Sequence, residues 1–137
     1  MKKLLIVDDS ILILSALSRT FRDNETEVMT ASNGQTALHA INKNCFDLCI
    51  LDIHLPDMNG LEIMKLIRTV SPTTRVVIIT GSAVSDSMMQ SVRENASCLL
   101  CKPFELDKIR LIVNRLLTTN KYQDECVGFV DLAFFTG

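Results

Sequence analysis

The chain has 137 residues, 47% of them hydrophobic and 22% charged, with a formal net charge of −2. That length suits one domain with a real core, and the mild acidity removes any electrostatic case for nucleic acid or an anionic membrane as partner. No apolar run approaches the roughly 18 residues needed to span a bilayer, and the run behind Met1-Lys2-Lys3 stops at Asp8-Asp9 without the small-residue cleavage site of a signal peptide, so a cytoplasmic protein is expected.

In chain order, Lys3 to Val7 predicts a first strand ending in Asp8-Asp9-Ser10, where Ser10 or Asp9 can cap the next helix. That helix carries Ile11, Leu14, Leu17, Ser18 and Phe21 at close to a 3.6-residue period. Glu27 to Ala31 predicts a short second strand, Ser32-Asn33-Gly34 a turn, and Gln35 to Lys43 a second helix with Ala37, Leu38 and Ile41 inward. Leu48 to Leu51 predicts a third strand, and a third helix runs from about Gly60 to Thr69 with Leu61, Met64, Leu66 and Ile67 apolar. Arg75 to Thr80 is the clearest strand, because Val76-Val77-Ile78-Ile79 is β-branched throughout. A polar fourth helix follows from about Ser85 to Glu94, with Asn95 as a left-handed end. Cys98 to Cys101 predicts strand five, and a fifth helix runs from Glu105 to about Thr118. Five strand–helix units with short connections predict an α/β fold, a parallel sheet covered on both faces.

The chemistry gathers around Phe46 to Gly60. The unbroken apolar run Leu48 to Leu51 suits a strand buried on both faces, although a buried helix segment has the same pattern. Pro56, Asp57, Asn59 and Gly60 then mark a loop, so Asp52 stands where strand gives way to loop. Ligands bind at that edge of open α/β sheets, which makes Asp52 a candidate metal ligand or nucleophile; a carboxylate capping a turn is the bland alternative. Neither a G-x-G-x-x-G stretch nor a Walker A loop follows strand one. The ends of strands one, three, four and five instead carry Asp8-Asp9, Asp52, Thr80 and Lys102. Parallel strands bring these ends to one edge. Carboxylates packed together are unfavourable unless a cation or a Lys offsets them, and oxygen-only ligands favour a hard divalent ion, most simply Mg²⁺. Each residue alone also fits a cap or a solvated strand end; five together at one edge are hard to attribute to caps.

This set resembles the receiver domain of two-component response regulators. The matching stretches are Leu5-Ile6-Val7-Asp8-Asp9, Leu51 to Gly60, Val77-Ile78-Ile79-Thr80-Gly81 and Lys102-Pro103-Phe104, across roughly residues 2 to 118. The resemblance implies a (βα)5 doubly wound sheet of flavodoxin-like order 2-1-3-4-5, with the receiver over residues 1–119 and a tail or linker over 120–137. It implies that Asp52 accepts a phosphoryl group from a histidine kinase or phosphotransfer protein and signals by conformational change. Mg²⁺ is then held by Asp8, Asp9, Asp52 and the backbone carbonyl of His54; Thr80 contacts the phosphoryl group and Lys102 pairs with it. The chain is then no ordinary enzyme, but it catalyses its own phosphorylation and dephosphorylation, with a lifetime associated with the positions of His54 and Ser82. The family's Lys102-Pro103 bond is cis. A homodimer or an output domain remains open as a further partner.

Two departures bear on signalling. Receivers usually carry Tyr or Phe three residues before the lysine, where this chain has Leu99, so the usual aromatic switch is missing. The usual Gly before strand five is Asn95. Beyond the resemblance, the tail is polar from Lys121 to Glu125 and then densely apolar, with Val127, Phe129, Val130, Leu132, Phe134 and Phe135. A docked segment is the favoured reading, a linker the bland one. Cys98 and Cys101 have C-x-x-C spacing, but no second pair or paired His supports zinc or redox chemistry, and the five cysteines are expected to be structural, buried hydrophobes. Two other functions stay in view. A haloacid-dehalogenase-type hydrolase with an Asp nucleophile needs a second Asp where His54 stands. A phosphorylation-independent pseudo-receiver would have no use for the intact acidic set.

Overall fold

Apolar runs form the strands of one parallel sheet, and stretches with one apolar face form the helices that cover it. In the computed structural model, which describes residues 1–118, the strands are β1 (Lys2–Val7), β2 (Thr26–Ala31), β3 (Leu48–Asp52), β4 (Arg75–Thr80) and β5 (Cys98–Cys101). The helices are α1 (Ile11–Phe21), α2 (Gly34–Lys43), α3 (Gly60–Val70), α4 (Asp86–Asn95) and α5 (Leu106–Thr118). The sheet is parallel throughout, as the strand–helix alternation predicts, and its order is β2-β1-β3-β4-β5, as the resemblance implies. The apolar tail, Cys126 and the expected boundary at residue 119 lie outside the described residues.

The two sheet faces bury alternate residues, as the period of two requires. Leu5, Val7, Cys49, Leu51, Ile78 and Leu99 pack with α2, α3 and α4. Leu4, Ile6, Ile50, Val77, Ile79 and Leu100 pack with α1 and α5. All five residues of β3 are buried, which settles the strand reading of Leu48 to Leu51. The loops begin where side chains take over the backbone hydrogen bonds. Ser10 caps α1, accepting from the N–H of Ile13, and Asn33, Asn59 and Ser85 cap α2, α3 and α4 in the same way.

Several expectations are corrected. Ile11 is 77% exposed, because it opens α1 beyond the sheet edge, where no core lies above it; Leu17, Ser18 and Phe21 form the buried face. Ile63, absent from the predicted face of α3, is fully buried. Asn95 is not left-handed: no described residue has positive φ. The chain leaves α4 through an extended Ala96, and the Asn95 amide donates back to the Ser91 carbonyl at 2.9 Å. Cys49 and Cys98 are buried, but Cys45 and Cys101 are exposed. Three residues apart on one strand, Cys98 and Cys101 point to opposite faces of the sheet, which removes a shared metal or dithiol role. The Lys102-Pro103 bond is cis.

Candidate functional site

At the carboxyl edge of the sheet, the backbone delivers four side chains to one place. Asp8 follows β1 and keeps its N–H bonded to the Ala31 carbonyl of β2 at 3.1 Å, so its side chain is held at the strand end. Asp52 closes β3, with its Cα opposite Ile79 of β4. Thr80 closes β4, and its carbonyl accepts from the N–H of Lys102 at 2.7 Å, just past β5. Asp8, Asp52 and Thr80 are buried. The flanking loops have to leave room for them, and Gly60 shows how closely they pass. Its N–H donates to the Ile53 carbonyl at 2.7 Å, and a Cβ there would run into the Asp52 carbonyl oxygen.

Lys102 binds the two inner carboxylates together. Its Nζ lies 2.8 Å from Asp8 Oδ2 and 3.1 Å from Asp52 Oδ2. The second oxygen of each acid takes a backbone donor: Ser10 N–H to Asp8 Oδ1 at 2.8 Å and His54 N–H to Asp52 Oδ1 at 3.2 Å. Burial lifts the Asp8 pKa above its ordinary value, with the Asp52 charge adding to the rise and the contacts with Lys102 and Ser10 opposing it. For Lys102, burial acts to lower the pKa, but its close contacts with the Asp8 and Asp52 carboxylates and their charges outweigh it, so the ammonium is held charged more firmly than usual. Thr80 Oγ1 donates to the Ser82 carbonyl and accepts from the Ser82 N–H, both at 3.2 Å.

Asp9 completes the acidic group from the solvent side. One carboxylate oxygen from each of Asp8, Asp9 and Asp52 lies within 4.8 Å of the others. Asp8 Oδ2 is buried and, despite the ion pair, receives no well-directed hydrogen bond. A small hard cation would satisfy that oxygen and offset the three carboxylates, so the residues fit Mg²⁺. The predicted residues Asp8, Asp9, Asp52 and Lys102 are thus brought together. Thr80 stands at the same edge with its hydroxyl engaged by Ser82, and the side chain of His54 is exposed.

One residue of the site region was not foreseen. Asp57 in the β3–α3 loop accepts from the N–H groups of Gly34 and Gln35 at 2.7 and 2.9 Å, tying that loop to the start of α2. These backbone bonds hold its pKa below the ordinary value. Asp57 was legible as a loop residue, but no local pattern links it to positions 23 and 22 residues earlier. Beside the site, an apolar cleft of about 450 Å³ opens between Leu12, Ile13, Pro103, Phe104 and Leu106, with Lys102 at its margin.

The response regulator receiver domain model matches residues 4–114. Sporulation initiation phosphotransferase F of Bacillus subtilis is 34% identical over 116 residues, covering 85% of this chain and 94% of that protein. The regulatory protein AtoC of Escherichia coli is 33% identical over 123 residues, covering 90% of this chain but only 27% of its own length. Among solved structures, a CheY-like receiver domain protein from Methanospirillum hungatei superposes with a TM-score of 0.81 at 26% identity, covering 93% of this chain and 99% of that one. TrrA from Thermotoga maritima, solved in complex with Mg²⁺-BeF, has a TM-score of 0.74 at 31% identity, covering 85% and 99%.

Proposed function

The chain belongs to the family of response regulator receiver domains, phosphoacceptor modules of two-component signalling, and we propose that Asp52 is its phosphoacceptor. The observation that carries this is the placement of Asp52: a buried carboxylate at the carboxyl end of β3, held by Lys102 at 3.1 Å inside a cluster of acids. A carboxylate oxygen of Asp52 would attack phosphorus of a phosphohistidine; the P–O bond forms, the P–N bond breaks, and the imidazole takes up a proton. Such a transfer depends mainly on alignment and charge neutralisation. Lys102, already held between Asp8 and Asp52, moves its charge onto the incoming phosphoryl oxygens. The Thr80 hydroxyl exchanges Ser82 for one of those oxygens.

Asp8, Asp9, Asp52 and the backbone carbonyl of His54 would hold Mg²⁺, in keeping with the Mg²⁺-BeF complex of the related TrrA. When bound, the ion supplies neutralising charge for the transfer. His54 and Ser82 flank the acyl phosphate and govern access of water to it, which gives the domain its own dephosphorylation rate. The donor, a histidine kinase or phosphotransfer protein, would approach over the cleft, where Leu12 is 82% exposed. Among the described residues no helix is long and apolar enough to cross a membrane. AtoC, of which this chain spans about a quarter, is the model for a receiver coupled to further domains.

Intact mass after treatment with acetyl phosphate and Mg²⁺ tests this. One phosphoryl adduct is expected, absent in Asp52→Asn, and its decay should change rate when His54 and Ser82 are both replaced by Ala. An adduct that persists in Asp52→Asn would overturn the assignment.

A further inference from the structure

We propose that Asp57 is a positioning residue: by clamping the tip of the β3–α3 loop to the start of α2, it holds the His54 backbone where the metal site needs it. The loop is fixed at its base and crossing by its own backbone. Gly60 N–H bonds the Ile53 carbonyl at 2.7 Å, and His54 bridges Asn59. Those ties close the loop on itself; at its base the Ile53 N–H donates to the Ile79 carbonyl of β4 at 3.2 Å, and Leu55 and Met58 pack on the core. Asp57 adds the hydrogen-bonded tie to α2, its two carboxylate oxygens each taking one N–H from consecutive residues, Gly34 and Gln35. Charged acceptors on backbone N–H groups make the stronger class of hydrogen bond, and the first turn of a helix favours a negative partner.

The contact is shaped as well as charged. Gly34 is buried, and a Cβ there would collide with Cγ and Sδ of Met58. Two consecutive loop residues, Asp57 and Met58, therefore seat on one glycine. Helix α2 does not need Asp57 for its N-cap, because Asn33 already accepts from the N–H of Thr36 at 2.8 Å. The carboxylate thus adds two hydrogen bonds between loops that Met58 joins only by packing, and one of those loops runs directly from Asp52 through His54. The metal arm of the test below rests on the His54 carbonyl reading given above; the exchange arm does not.

Asp57→Ala removes two side-chain acceptors from the start of α2 and Asn33→Ala removes one, but only the first cuts the hydrogen-bonded tie between the loops. In metal-free protein, hydrogen exchange at the His54 amide should quicken in Asp57→Ala and stay unchanged in Asn33→Ala. By calorimetry, Mg²⁺ should bind Asp57→Ala about tenfold more weakly, the usual scale for loss of an outer partner of a metal site, and Asn33→Ala as tightly as the parent. An unchanged His54 amide in Asp57→Ala, an unchanged Mg²⁺ affinity, or equal effects in both variants would overturn the proposal. If the parent itself binds no Mg²⁺, the metal reading fails, and the exchange comparison still decides whether Asp57 positions the loop.

Discussion

Asp8 and Lys102 are a coupled pair whose protonation sets how the metal-free site behaves. Asp8 is buried and its pKa is raised from 3.8. A raised acid takes up its proton more readily in the folded than in the unfolded chain, so between 3.8 and the raised value stability falls as pH climbs. Above that window the full cost of the ionised carboxylate is present. Lys102 acts at the other end of the scale: its contribution is complete below the ordinary 10.5 and is lost as pH rises through its raised value. Asp8→Asn should therefore raise the unfolding midpoint at pH 7 in the presence of chelator, flatten the acid-side slope and abolish Mg²⁺ binding. Thermal melts across pH check this; a lower midpoint at pH 7 would mean that the ion pair with Lys102 outweighs the burial of Asp8. The charges of the site were legible because acids at strand ends stand out against apolar strands. That a lysine could offset the acids was legible too, but which oxygens Lys102 holds, Oδ2 of Asp8 and Oδ2 of Asp52, was left to the fold.

At the scale of elements, every strand and helix was legible, the strands from apolar or β-branched runs and the helices, the polar α4 apart, from their period, and the misses share a cause. Ile11 has the spacing of a core residue but sits where the helix overhangs the sheet edge, and periodicity carries no information about where a sheet stops. Asn95 has the composition of a left-handed cap, yet an extended Ala96 ends the helix without one. Gly60 was legible as a loop residue, while its physical reason appears only when the loop folds back on β3. A Cβ there would meet the Asp52 carbonyl oxygen and lie 3.0 Å from Ile53 Cα. Both are backbone atoms, which cannot swing aside. Gly60→Ala should cost roughly 1–3 kcal/mol, as overpacked sites do, and slow phosphorylation of Asp52 by displacing its backbone. Gly81→Ala is the control, since its nearest neighbour would be the flexible Lys102 Cδ at 3.7 Å. Urea unfolding should separate the two, and equal stability would show that the β3–α3 loop relaxes freely.

Across the whole molecule the question is how the state of Asp52 reaches a distant surface. The residue that usually supplies an aromatic switch is Leu99, and it is 1% exposed, packed into the core beneath α2, α3 and α4. A buried leucine cannot alternate between an outward and an inward ring. The remaining link is the backbone of the β4–α4 loop, because Thr80 is hydrogen-bonded to both polar groups of the Ser82 backbone. A hydroxyl that leaves Ser82 for a phosphoryl oxygen frees that loop, and α4 follows directly from it. The two candidate output helices differ in their hold on the core. Helix α4 has one buried residue, Val92, whereas α5 buries Ile109, Ile112, Val113 and Leu116. Segments with few buried apolar contacts open at lower free energy and are the ones that move, and a ligand shifts only an equilibrium whose two states it distinguishes. Phosphorylation, or a beryllofluoride mimic with Mg²⁺, should therefore change hydrogen exchange over residues 82–95 by more than over 106–117. An equal or larger change in α5, with α4 unmoved, would place the output of this receiver elsewhere and remove the loop from Thr80 to α4 as its route.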